Sequence, residues 1–113
     1  MTADAFRRLA LGMLEATEVG HFGHPDFRVG GKIFATLGYP DANWGVLKLT
    51  PEQQEAFVSA EPGVFVPVEN SWGRRGATCV RLRAAKTKSL RIALAAAWRN
   101  VAPRRLVDAD SKR

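Results

Sequence analysis

Residues 27–37 read Phe27-Arg28-Val29-Gly30-Gly31-Lys32-Ile33-Phe34-Ala35-Thr36-Leu37, two β-prone runs on either side of a glycine pair. Glycine takes positive φ without steric cost, which the tightest hairpin turns demand of their central residues. The stretch therefore predicts an antiparallel hairpin. Strand alternation puts Ile33, Ala35 and Leu37 on one side and Lys32, Phe34 and Thr36 on the other. Gly30-Gly31-Lys32 is not the end of a phosphate loop. That motif needs an earlier glycine, a Ser or Thr after the lysine, and a strand-to-helix junction, whereas these glycines join strand to strand.

Downstream of the hairpin, Tyr39-Pro40-Asp41-Ala42-Asn43 is a loop and residues 44–49 are a third strand. Thr50-Pro51-Glu52-Gln53 starts a helix: a capping hydroxyl, proline in the first turn, and glutamine at the capping-box position. Pro62-Gly63 ends it. Residues 64–68 and 77–83 read as two more strands, joined by residues 69–76. Leu90, Leu94, Ala97, Trp98 and Val101 recur at helical spacing until Pro103 stops the helix. Residues 104–113 lack apolar periodicity and read as a basic mobile tail. Upstream, Phe6, Leu9, Ala10, Met13 and Leu14 mark a first helix capped by Thr2 or Asp4, followed by a short extended region over residues 17–26. The order is α-β(3)-α-β(2)-α. Strands grouped in this way predict an α+β two-layer sandwich, an antiparallel sheet of about five strands with helices on one face, in a single domain over residues 1–103.

The length of 113 residues allows one such domain and not two. An apolar fraction of 46% and a charged fraction of 25% exclude collagenous, disulfide-scaffold and wholly disordered classes. No apolar run approaches the ~20 residues of a membrane span, and the first residues carry no cationic lead into an apolar core. Cys79 is the only cysteine, so no intrachain disulfide forms, and the expected compartment is the reducing cytoplasm. The charge is uneven. Residues 1–69 hold five cations and nine acids, a balance of −4, and residues 70–113 hold twelve cations and two acids, a balance of +10. From residue 70 to residue 107 there is no acid at all. A positive lobe of this kind favours an anionic partner such as nucleic acid.

His21-Phe22-Gly23-His24-Pro25, the Phe27 to Ala35 block, Leu47-Lys48-Leu49-Thr50-Pro51-Glu52, Trp72-Gly73 with Gly76, and the helix from Leu90 to Trp98 together resemble the MmcQ/YjbR family. The resemblance covers the chain from about Phe6 to Pro103. It implies a small two-layer fold related to secretion-chaperone-like domains and a "double-wing" mode of DNA binding. It supplies no catalytic residues to carry over.

The residues themselves offer little for catalysis. His21, His24, Asp26 and Glu18 lie close in sequence, but zinc needs three or four converging ligands and no third histidine exists. Dispersed glutamates do not make a hard-cation surface either. No metal, cofactor or catalytic group is expected. The cations are more telling. Alternation places Lys32, Lys48 and Arg81 with Arg83 on one sheet face beside Trp44, where cationic side chains neutralise phosphates and exposed aromatics stack on bases. Trp72-Gly73-Arg74-Arg75-Gly76 reads as a narrow loop with a cationic tip, Trp72 anchoring its base. This loop and the Tyr39 loop are the candidate wings. The expected function is non-catalytic binding of duplex DNA with little sequence readout, through Arg74, Arg75, Lys32, Lys48, Arg81, Arg83, Trp44 and Trp72. The alternatives are a protein-interaction module using a strand edge or the exposed tryptophans, and a small-molecule-binding domain.

Overall fold

The structure, a computed structural model, describes residues 1–20 and 24–112. Its elements run α1 (Ala3–Leu11), β1 (Thr17–Val19), β2 (Asp26–Val29), β3 (Lys32–Leu37), β4 (Trp44–Lys48), α2 (Pro51–Ala60), β5 (Phe65–Pro67), α3 (Ser71–Arg74), β6 (Ala77–Arg81), a 3-10 turn (Leu82–Ala84), α4 (Thr87–Val101) and α5 (Arg104–Ser111). The six strands form one antiparallel sheet in the order β1-β2-β3-β4-β6-β5. This is the α+β two-layer architecture expected, with β1 added at one edge.

Local chemistry accounts for most of the boundaries. Gly30 and Gly31 take φ of 57° and 79°, the pair of positive values that a tight two-residue hairpin requires. The Thr50 hydroxyl accepts from the Gln53 N–H at 3.1 Å while the Gln53 side chain accepts from the Thr50 N–H at 2.9 Å, closing both arms of the capping box. Thr2 caps α1 through the Ala5 N–H.

One sheet face carries the core. Phe27, Ala35, Leu47 and Val80 meet Phe6 and Ala10 of α1, Leu90, Leu94 and Trp98 of α4, and Leu106 of α5 in a single apolar cluster. The Phe57 ring of α2 tilts against Phe65 with centroids 5.3 Å apart. The Trp98 indole N–H, deep in this layer, donates to the Leu14 carbonyl oxygen at 3.0 Å, satisfying its one polar group. Among the described residues the opposite face carries a second, small apolar cluster, Val46, Val68, Ala77 and Cys79.

Three expectations are corrected. Residues 104–111 form a helix, α5, in place of an aperiodic tail: Leu106 is 3% exposed in the core and Arg105 reaches Glu15 at 3.3 Å. A single turn of apolar contact is too short to register as periodicity. Residues 71–74 form the helical turn α3, so the cationic segment is not a projecting tip. The alternation in β3 is broken as well. Phe27 pairs with Ala35 but Arg28 with Ile33, leaving Phe34 as the extra residue of a β-bulge. Phe34 is thereby buried in the core beside Ala35, while Ile33 shares the open face with Arg28.

Candidate functional site

The open face is laid out by β4 and β6. Residues paired across antiparallel strands point to the same side, so the pairs Trp44 with Arg81, Val46 with Cys79, and Lys48 with Ala77 set the pattern. Val46 faces Thr36 on β3. Because small side chains occupy the middle of this pattern, a groove of about 510 Å³ opens over it. Val46, Val68 and Ala77 form its apolar floor. Tyr39, from the loop before β4, and Trp72, from α3, stand at its walls. His24, Thr36, Lys48 and Asn70 supply its polar lining.

Short-range packing fixes α3 at the groove wall. The Asn70 side chain accepts from the Trp72 N–H at 2.8 Å, and the Gln54 amide of α2 donates to the carbonyls of Gly73 and Ala77, each at 3.0 Å. A Cβ on Gly73 would lie 1.7 Å from the Val68 carbonyl oxygen, so only glycine lets the two backbones meet. Held in this way, Trp72 remains 53% exposed. Lys48 Nζ lies 4.8 Å from the centre of its ring and the Arg75 guanidinium 5.4 Å away. A matching pair stands at the other end of β4, where the Arg81 guanidinium lies 4.4 Å from the Trp44 ring centre. At ~3.3 Å per residue, the two ends are about 13 Å apart along the strand.

Lys48, Trp72, Arg75, Trp44 and Arg81 thus come together on one face, and Arg74 is exposed on α3 beside them. Two expected residues do not join them. Lys32 pairs with Val29, whose side chain is in the core, so the bulge at Phe34 turns Lys32 to the helix side of the sheet. Arg83 lies beyond the strand in the 3-10 turn, which removes it from the alternation of β6. Sequence reading missed His24, Thr36 and Asn70 as groove residues. Tyr39 had a cue in the wing assigned to its loop, and Thr36 in the strand face it was expected to share with Lys32.

Five described arginines, Arg7, Arg8, Arg28, Arg104 and Arg105, are ion-paired. Among the described residues, Lys48, Arg74, Arg75 and Arg81 are among the cations that are not. Cys79 lies on this face too, lining a smaller neighbouring groove with Tyr39, Trp44 and Glu69. Burial, helped by the nearby Glu69 carboxylate, pushes its thiol up to about 11. Such a thiol is protonated at neutral pH and is no nucleophile. Among the described residues no three of His, Cys, Asp and Glu converge as a metal site; His21 lies outside those residues. No described helix is long and apolar enough to cross a membrane.

With this geometry in place, comparison with known families is direct. The YjbR family model matches residues 11–100, from the end of α1 to the last turn of α4. The chain belongs to the YjbR family. That span includes every strand of the sheet and every residue of the groove. No curated protein and no solved structure matches the chain.

Proposed function

We propose that this YjbR-family protein binds DNA without catalysis, through the open face of its sheet and the cationic segment at α3. Trp72 carries the proposal: an exposed aromatic ring flanked by Lys48 and Arg75, neither of which is neutralised by a carboxylate among the described residues. A cation left without an internal partner keeps its full attraction for an external anion, and a phosphate backbone offers anions at regular intervals. The ~13 Å between the two cation–aromatic pairs spans about four base steps of one duplex strand, at ~3.4 Å per step. Backbone contacts of this kind position a protein without reading sequence.

Duplex affinity measured against salt tests the proposal. Binding should weaken as salt rises, with a log–log slope of about −0.9 per neutralised phosphate. Arg74→Ala combined with Arg75→Ala should make the slope shallower by roughly one to two units, on unrelated sequences alike. Arg7→Ala combined with Arg8→Ala, which removes cations already paired to Asp4 and Glu18, should change it less. Duplex binding that stays undetectable at low salt would remove DNA from the reading and favour a protein partner at the exposed tryptophan.

A further inference from the structure

A stacked duplex makes no use of the groove itself. Its bases show only their edges, and their faces are covered by neighbours. The groove has the opposite character, with an apolar floor at Val46 and Ala77 and two exposed aromatic walls, Tyr39 at 43% and Trp72 at 53%. Exposed aromatic surface of this extent gains most from a ligand with a free π-face. The volume of about 510 Å³ falls within the range of sites for single small ligands, about 300–1,000 Å³.

The polar groups sit where such a ligand needs them. Lys48 stands at the groove wall against Trp72, and Arg75 approaches the same ring. An anion attached to a ring stacked at Trp72 would therefore meet two cations. Asn70 uses its side-chain oxygen to hold the Trp72 N–H, and its amide N–H groups have no partner among the described residues. The floor is apolar and the rim is cationic, and the combination is specific. It suits a flat heteroaromatic ring joined to a phosphate.

We infer that this groove is a site for one unpaired nucleotide, its base packed between the Tyr39 and Trp72 walls over Val46 and Ala77 and its phosphate held by Lys48 and Arg75. The inference rests on the nucleic-acid reading above and narrows it: duplex contacts run through the surface cations, while the groove takes a base that is out of the stack. The unpaired nucleotide comes either from a single strand or from a free mononucleotide, and both present the same chemistry.

The test compares three probes by titration, following tryptophan emission and the anisotropy of labelled DNA: a short oligothymidylate, a relaxed closed-circular duplex, and thymidine 5′-monophosphate. Oligothymidylate should quench the exposed tryptophan and bind more tightly per phosphate than the circular duplex. Trp72→Ala should weaken strand binding by about ten-fold or more, a typical loss for one stacked base, and Trp72→Phe should restore part of it. Ala77→Leu, which fills the floor and keeps every cation, should weaken strand binding by a larger factor than duplex binding. Should Ala77→Leu fail to fold, the two Trp72 variants carry the test. Mononucleotide binding as tight as that of the oligomer, and equally lost in Trp72→Ala, identifies the free nucleotide as the source. Equal affinity for strand and duplex, insensitive to Trp72→Ala, overturns the groove site yet leaves duplex binding through Arg74 and Arg75 standing. No binding of any nucleic acid at low salt overturns both.

Discussion

Trp72 and Cys79 share the open face and show how differently neighbouring side chains there meet the solvent. Trp72 is held by its backbone and left open at its ring, whereas Cys79 is 6% exposed beneath the surface of the sheet. Removal from water penalises the thiolate, Glu69 adds to the penalty, and the thiol pKa rises from its ordinary value of 9.0 to about 11. Two consequences follow for the folded protein. At pH 8 the thiolate fraction falls roughly a hundred-fold below that of the unfolded chain, so iodoacetamide should label Cys79 at least that much more slowly before denaturant than after it. Stability should respond at alkaline pH. Well below pH 9 the thiol is protonated in both states and adds no pH dependence. Between pH 9 and about 11 the unfolded chain releases a proton that the folded chain keeps, so stability falls as pH rises through that window. Urea unfolding at pH 8, 9.5 and 11 checks this: Cys79→Ala should show a shallower decline than the parent, and parallel declines would refute the assignment.

At the scale of elements, α3 is the shortest of the α-helices and has the tightest backbone fit. Its four residues are too few to sustain a helix alone. What holds it is backbone against backbone, Gly73 on Val68, with the Gln54 amide bridging to the Gly73 and Ala77 carbonyls. Gly73→Ala should therefore destabilise the fold by about 1–3 kcal/mol, the usual cost of forcing atoms into a filled space. Gly63→Ala, where a Cβ meets nothing within 4 Å, should stay within about 0.5 kcal/mol. Denaturant midpoints of the two variants decide it, and equal midpoints would mean that α3 shifts freely. The same physics explains what could be read in advance. The Gly30-Gly31 turn and the Thr50 capping box are written in adjacent residues, so the hairpin and the start of α2 are legible in sequence. The bulge at Phe34 is not, because the choice to bury Phe34 with Ala35 is made by the core above them. The docking of α3 depends on Val68 and Gln54, which no local pattern links to it. The groove was hidden for a related reason: it exists because β6 inserts between β4 and β5, and strand order is not encoded in any one strand.

Across the whole molecule that insertion also mixes the two charge halves. The acid-rich half supplies β1 to β5, and the cation-rich half supplies β6, α3, α4 and α5, so the +10 segment faces both sides of the sheet. Trp72, Arg74 and Arg75 belong to the groove side. On the helix side, Lys88 and Arg91 are exposed on α4, which turns Leu90 and Leu94 toward the sheet. Two mechanisms for binding DNA therefore make different demands. If attraction were diffuse, the overall charge of +6 would matter and any exposed cation would serve equally. If phosphates are held at the open face, distance decides. The molecule measures 33 × 31 × 27 Å, and a helix layer of about 10 Å lies between the outer surface of α4 and the sheet. The screening length at physiological salt is about 8 Å, so Lys88 and Arg91 are mostly invisible to a ligand on the far side. Lys88→Ala combined with Arg91→Ala removes the same formal charge as Arg74→Ala combined with Arg75→Ala. The α4 pair should nevertheless shift the salt slope of duplex binding by less than about 0.5, against one to two units for the α3 pair. Equal shifts from the two pairs would show that net charge alone attracts DNA and that the open face has no privileged role. A larger shift from the α4 pair would move the interface to the helix side of the sheet.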